Sequence, residues 1–233
     1  KMGVWWILTG LIKKVIFADY IAMNLVDRVF ASPTSYSGME VMLGLYGYSL
    51  QVFADFSGYS DIAIGLALLM GFRLEENFRS PYKARNIGEF WKRWHISLST
   101  WLRDYLYIPM GGSRTASIFS GIFSFATVFF LSMMLGESGE INFGVLFLGF
   151  GMMLLLWSSG VMYPKWGQKL ASYVNIMATM VIGGLWHGAS WNFLLWGALN
   201  GLGLLVYKVL GTKMPWSSHH AWWARAIGLI TTF

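Results

Sequence analysis

The sequence predicts an all-α, polytopic membrane protein, a helical bundle with re-entrant or interfacial helices. Three observations carry this. Hydrophobic residues make up 56% of the 233 positions and charged residues only 12%, about half the charged share usual in soluble domains. Thirteen Trp and eleven Tyr suit a chain that repeatedly crosses headgroup regions, where amphipathic rings settle. Residues 175–207 contain no Lys, Arg, Asp or Glu. As one helix that run would reach about 50 Å, beyond a hydrocarbon core of about 30 Å, so it must break, tilt or re-enter.

In chain order, Val4 to Ile12 is apolar, Lys13-Lys14 interrupts, and Val15 to Phe30 continues with Asp19, Asp27 and Arg28 interspersed. This reads as a helix near an interface, closed by the loop from Ala31 to Gly38. Met39 to Phe53 is long enough to span. The next segment places Asp55 and Asp61 just before a second apolar run, Ile62 to Phe72. Two acids in an apolar region serve either as proton carriers or as ion-pair partners. Pairing with Arg73, Arg79, Arg85 or Arg93, all close in sequence, is the expectation, because buried charge is normally paired.

Residues 73–114 change character, carrying eight of the seventeen Lys and Arg, and read as an interfacial lobe at the cytoplasmic face. Asn86 and Glu89 have the spacing of a helix start, with Asn as N-cap and Glu able to reach back to the cap N–H. The periodicity predicts one helix beyond them, with Trp91, Trp94, His95, Leu98, Leu102 and Tyr105 on one face. On its own His95 reads as a satisfied core histidine. Pro109 and Gly111-Gly112 end the element.

Residues 117–135 and 143–163 each approach the roughly twenty residues a span requires. The acidic turn between them holds Glu137 and Glu140, with Arg114 before it and Lys165 and Lys169 after. By the positive-inside rule Glu137 and Glu140 lie outside the cytoplasm, and Arg114 and Lys165 inside. Within the uncharged run, a break is expected at Gly183-Gly184 or at Gly188. His187 beside it is either a functional group facing a cavity or a hydrogen-bond donor to a neighbouring helix. Adjacent His219 and His220 have no further ligands near them in sequence and read as loop; no metal site is expected. With no cysteine in the chain, disulfides, thiolate catalysis and Cys-ligated metals are excluded. The net charge of +6 marks cytoplasmic loops and lipid headgroup contacts, not nucleic acid. The last eight residues look like a new span cut short, so the chain reads as a piece of something longer.

Phe56-Ser-Gly-Tyr-Ser-Asp61, then Glu76-Asn-Phe78, Pro81-Tyr82, the stretch from Glu89-Phe-Trp-Lys-Arg-Trp-His95 to Gly111-Gly-Ser-Arg114, and Gly184-Leu-Trp-His-Gly-Ala-Ser-Trp191 closely resemble the membrane-bound O-acyltransferase (MBOAT) superfamily. The nearest branch is that of the bacterial alginate O-acetyltransferases. Lys13-Lys14-Val-Ile-Phe-Ala-Asp19 is similar to the segment preceding these motifs in that branch. The resemblance implies a single MBOAT-like membrane-embedded region over residues 1–233. Within it lie the lobe 73–114, an extra helical hairpin at 116–163 and a histidine-bearing core at 175–208, and the family's N-terminal helices are missing. It places the family's invariant histidine on His187 and the branch's second essential histidine on His95.

The chemistry implied is O-acyl transfer in a bacterial inner membrane. An acyl group, acetyl by this resemblance, passes from a cytoplasmic thioester, acetyl-CoA or an acyl carrier protein, toward an exported polysaccharide, with extracytoplasmic acetyltransferase or polysaccharide-binding proteins as partners. No bound cofactor is implied. Trp186, Trp191 and Asn192 would wall the site or hydrogen-bond the carbonyl, Trp94 would line it, and Arg93 and Arg103 would hold donor phosphates. The competing readings are D-alanyl transfer toward teichoic acid, a transporter using His187 with Asp55 and Asp61, and a scaffold of an export complex.

Overall fold

In the computed structural model, which describes residues 1–114 and 164–210 together with 121–122, 125–126, 129, 143–144, 147 and 151, the described residues contain helices and turns and no strand. They divide into two compact units, Lys1–Ser80 with Arg93–Ser97, and Pro81–Lys92 with the described residues from Leu98 onward.

The first unit is built on two long helices. α1 (Met2–Leu11) runs on through π-helical segments Ile12–Ala18 and Ala22–Val26 to Ala31, so the Lys13-Lys14 interruption leaves the helix intact. A loop containing the 3₁₀ turn Pro33–Ser35 follows. α2 (Gly38–Leu69) is then one helix of 32 residues, about 48 Å at 1.5 Å per residue. It joins the two apolar runs that the sequence separated and carries both acids mid-helix. Its start is a capping box: the Glu40 N–H donates to Ser37 Oγ, and the Ser37 N–H donates to Glu40 Oε2 at 2.8 Å, satisfying two otherwise orphaned donors.

Glycines set how closely these helices lie. A Cβ on Gly10 would fall 2.4 Å from the Gly58 carbonyl oxygen, and one on Gly65 would fall 2.5 Å from the Gly3 oxygen. The backbones therefore touch, as at small-residue crossings in membranes. Because rising numbers on α1 meet falling numbers on α2, the pair is antiparallel. That geometry corrects the ion-pair expectation: Asp61 pairs with Lys13 at 2.5 Å and Asp55 with Lys14, not with the arginines downstream. Nearness in sequence favoured the arginines, but helix packing brings residues 13–14 opposite 55–61. Trp5, Leu8, Val15 and Ile16 on α1 and its continuation stay exposed, as do Leu66 and Leu69 on α2, the apolar surface a bilayer would cover.

The single helix expected from residue 87 is instead two, α3 (Ile87–Trp91) and α4 (Ile96–Leu102). The break coincides with His95, whose φ of +44° is left-handed, a conformation that ends an α-helix and that His tolerates better than most residues. Trp91 and Trp94 consequently share no helical face. Past α4 a π-helical segment, Arg103–Tyr107, leads into the turn at Gly111 and Gly112, with φ of +105° and +57°, which ends the element where the sequence placed its end.

α5 (Pro164–His187) and α6 (Trp191–Leu210) form an antiparallel hairpin in the second unit. Of the two expected break points, Gly188 is the one used: its N–H bonds the Leu185 carbonyl, and the Ser190 N–H bonds the Gly188 carbonyl. Gly183 and Gly184 remain helical. A Cβ on Gly184 would lie 2.3 Å from the Phe193 oxygen, and one on Gly197 would lie 2.4 Å from the Met180 oxygen, so this pair also crosses backbone against backbone. Asn175, fully buried, donates through Nδ2 to the Met110 and Gly112 carbonyls at 3.1 and 3.0 Å, tying the glycine turn to α5. Tyr107 and Lys208 both hydrogen-bond Ser172. Among the described helices, α2 and α6 are long and apolar enough to cross a membrane. Apart from isolated positions, the expected spans at 117–135 and 143–163 lie outside the described residues, as do the acidic turn with Glu137 and Glu140, the hairpin 116–163, and His219 with His220.

Candidate active site

His95 is set in the first unit by a polar cluster and an aromatic box. The loop residue Asn77 presents its side-chain oxygen to the Ser97 N–H at 3.0 Å, to Ser97 Oγ at 3.0 Å and to His95 Nδ1 at 3.3 Å. Its backbone carbonyl accepts from the Ile96 N–H, so one residue caps both leading amides of α4. Phe56 meets the imidazole edge-on at 4.6 Å, and Phe78 lies near-parallel at 6.5 Å. Trp94 packs edge-on against Phe78 at 5.1 Å and tilts against Phe53, placing this predicted site residue in the same box. The imidazole is buried, at 9% exposure.

Within the same unit a cavity of about 420 Å³ is lined by residues that include Lys13, Asp61, Glu76, Asn77, Arg79 and Arg93. Its volume lies in the range of small-molecule sites. Arg93 donates through Nη1 to the Arg79 carbonyl at 3.1 Å, and the Arg79 N–H donates to the Arg93 carbonyl at 2.9 Å. This cross-brace holds the guanidinium at the cavity wall.

His187 is held differently. It is the last residue of α5, and its ring sits against Trp186 at 5.0 Å, Trp196 at 5.2 Å and Phe193 at 5.9 Å. Trp196 is in turn met edge-on by Trp91 of α3 at 5.7 Å. Among the described residues neither ring nitrogen of His187 has a hydrogen-bond partner, and the ring's neighbours are the three aromatic side chains. A Cβ on Gly188 would fall 2.7 Å from the Phe193 ring; the glycine lets that ring close over the helix end.

The other predicted residues are placed as follows. Trp186 is in the cradle. Trp191 and Asn192 open α6, where the Asn192 N–H donates to Ser190 Oγ at 3.3 Å. Arg103 makes a two-point contact with Asp104, at 2.7 and 3.1 Å. That contact holds the Asp104 carboxyl below its usual range and raises the guanidinium further. The sequence reading missed Asn77, Ser97, Phe56 and Phe78 around His95, and Phe193 and Trp196 around His187. Phe193 and Trp196 follow Gly188 within the uncharged run, so a hairpin turning at Gly188 returns them beside His187. Asn77 had no such local signal.

Residues 1–167 match the MBOAT, membrane-bound O-acyltransferase family model. The chain is 39% identical over 222 residues to a probable alginate O-acetylase of Pseudomonas syringae pv. tomato, covering 95% of this chain and 32% of that protein. It is 35% identical over 207 residues to a peptidoglycan O-acetyltransferase of Helicobacter pylori, covering 89% and 29% respectively. Against a teichoic acid D-alanyltransferase of Bacillus subtilis it is 24% identical over 197 residues, covering 82% and 38%. The chain thus spans about a third of the length of these relatives.

Proposed function

This chain belongs to the membrane-bound O-acyltransferase family, and from that premise we propose that it carries the histidine chemistry of a polysaccharide O-acetyltransferase of the bacterial inner membrane. The observation that carries the reading is His187: an imidazole with both nitrogens unpartnered among the described residues, fixed by three rings at the end of a helix that glycine packing locks to its neighbour. A neutral imidazole so placed accepts the proton of an attacking hydroxyl. As the oxygen bonds the thioester carbonyl carbon and the C–S bond breaks, the proton passes through His187 to the departing thiolate. General-base help of this kind contributes about 10² to 10⁴ in rate.

The donor in this reading is a cytoplasmic thioester, acetyl-CoA or an acyl carrier protein, with no bound cofactor. Arg93 at the cavity wall and Arg103 with its Asp104 partner are the candidate contacts for donor phosphates. Trp94, Trp186, Trp191 and Asn192 are the candidate walls. The acceptor is a hydroxyl of an exported polysaccharide, reached through extracytoplasmic partner proteins. O-acetyl transfer is favoured over D-alanyl transfer because the relatives at 39% and 35% identity are named O-acetylases, against 24% for the D-alanyltransferase. The whole chain acts in this reading as one multi-pass region. Residues 73–114 face the cytoplasm, 116–163 form an added hairpin, 175–208 form the histidine core, and Glu137 and Glu140 lie outside.

The test is acetyl transfer by membranes carrying the full-length protein, wild type against His187→Ala, with radiolabelled acetyl-CoA and acetyl-loaded carrier protein offered in turn. Transfer from one donor, lost in the variant, is the expected result. Near-normal turnover in the variant removes the mechanism and leaves the scaffold or transporter reading. The topology is checked by single cysteines in this cysteine-free chain. A membrane-impermeant reagent on intact cells should label position 138 and spare 165, and the reverse pattern inverts the orientation.

A further inference from the structure

Three groups converge on the side-chain oxygen of Asn77: the Ser97 N–H, Ser97 Oγ and His95 Nδ1. A backbone N–H can only donate, so the atom it meets is the carbonyl oxygen and not the amide nitrogen. An amide oxygen can only accept, so a hydrogen bond at the 3.3 Å contact requires the proton on Nδ1; Ser97 Oγ also lies 3.4 Å from that nitrogen, but its own proton has the shorter contact, 3.0 Å, to the Asn77 oxygen. The amide nitrogen of Asn77 is anchored on the opposite side by Ser60 Oγ at 3.4 Å, on a serine that is itself buried, which keeps the amide from turning over. The left-handed φ of His95 and the edge contact of Phe56 fix the ring plane against this oxygen. A left-handed non-glycine residue persists only where its surroundings hold it, and such residues gather at functional sites.

From this arrangement we propose that Asn77 is a positioning residue for His95: it holds the proton on Nδ1 and so makes Nε2 the basic nitrogen of the ring. The inference rests on what the family resemblance implies, that His95 takes part in transfer alongside His187, and goes beyond it by naming what sets the ring's protonation pattern. The logic is that of a histidine whose reactive nitrogen is decided by the hydrogen bond its other nitrogen makes. Asn77 also lines the cavity that holds Lys13, Asp61 and Arg93, so the residue orienting the imidazole forms part of the wall of a ligand-sized space. A role confined to capping α4 would use the same oxygen for the Ser97 N–H, and the experiment separates the two.

Acyl transfer kinetics and detergent thermal stability are measured in the full-length protein for Asn77→Ala, Asn77→Asp and His95→Gln. Asn77→Ala should lower kcat by about 10- to 100-fold with the donor KM within twofold, because second-layer partners of a working histidine are worth about that much. Asn77→Asp, which keeps an acceptor oxygen facing Nδ1, should restore kcat to within several-fold of wild type. Wild-type kcat in Asn77→Ala overturns the proposal, and so does an Asn77→Asp variant as slow as the alanine one. If Asn77→Ala does not accumulate, Ser60→Ala carries the test by releasing only the amide nitrogen. A several-fold lower kcat at unchanged stability is expected there, and an unchanged kcat overturns the proposal. Full turnover in His95→Gln instead removes the role of His95 itself, whatever Asn77 does.

Discussion

The two histidines are held by opposite means. His95 sits at a broken helix, buried, with its ring oriented by an asparagine, a serine and two phenylalanines. His187 ends an unbroken helix among three rings, with no hydrogen bond to its ring among the described residues. Directional bonds specify which nitrogen carries the proton, whereas ring packing specifies only where the imidazole stands. Among the described residues, His187 would gain or lose a proton without breaking a hydrogen bond. The proposed bond to Asn77 would instead fix which nitrogen of His95 carries the proton. The difference lies in the surroundings alone, since the side chains are identical.

The largest expected effect breaks the comparison at His187. His187→Ala should lower transfer by about a hundredfold or more, while its removal from an exposed ring cradle costs about 1 kcal/mol of stability or less. His95→Ala should differ by losing both activity and stability, since it removes a buried, hydrogen-bonded ring and leaves alanine at a positive φ, at a combined cost of about 2–4 kcal/mol. Turnover assays paired with thermal unfolding in detergent read both quantities. Equal stability loss in the two variants would erase the distinction.

The next effect tests whether the cradle depends on the hairpin crossing. A side chain at Gly197 meets backbone atoms of Met180 and Val181 at 2.4 to 3.1 Å, where nothing flexible can give way. Gly197→Val should therefore part α5 from α6 and destabilise by about 1–3 kcal/mol. Transfer should fall with it, because Trp196 and Phe193 leave His187. Asn175→Ala should cost a similar or smaller amount, about 1–3 kcal/mol, by stripping two buried carbonyls of their donor. Being remote in sequence from the rings, it should leave transfer per folded molecule unchanged.

What could be read from the sequence divides along the same line. A break in the uncharged run, at Gly183-Gly184 or at Gly188, was visible because the run was too long for a bilayer and glycines flank the histidine; the sequence did not choose between the two points. The cap at Asn86 was visible because its partner lies three residues on. The clamp on His95 was not, because Asn77 is eighteen residues away and meets His95 only through tertiary packing. The periodicity around His95 was misleading for a related reason. Its hydrophobic spacing is that of a helix, but a tertiary clamp and a left-handed φ override the local preference. The lysine partners of Asp55 and Asp61 were hidden likewise, being set by an antiparallel crossing that spans more than forty residues.

A smaller effect concerns that crossing. Asp61 is nearly buried and pairs with a partly exposed Lys13, while Asp55 and Lys14 are both about half exposed. Asp61→Asn should cost about 1–3 kcal/mol, against about 0–1 kcal/mol for Asp55→Asn. A double-mutant cycle with Lys13→Met measures the coupling directly. Coupling no larger at position 61 than at 55 would mean that burial in the isolated unit does not describe the pair in its membrane.

The smallest effect contrasts the two capping asparagines. Asn86 accepts from the Glu89 N–H at 2.8 Å, a local cap on α3. Glu89 does not return the bond as the sequence suggested; its carboxylate accepts from the Arg85 N–H and Arg85 Nε at 3.0 and 3.2 Å, one residue before the cap. Asn86→Ala removes one capping oxygen and should cost about 1 kcal/mol, with Asn86→Asp or Asn86→Ser recovering most of it. The helix it starts ends at Trp91, which braces Trp196 and through it the His187 cradle. Because that brace is a ring contact and not a bond to the imidazole, transfer in Asn86→Ala should stay within about threefold of wild type, a shift of about 0.6 kcal/mol. Asn77→Ala removes the same kind of group from the start of α4 and, by the tautomer argument, should slow transfer far more than it lowers stability. If the two alanine variants slow transfer equally, the hydrogen bond to His95 has no special role, and both asparagines are caps and nothing else.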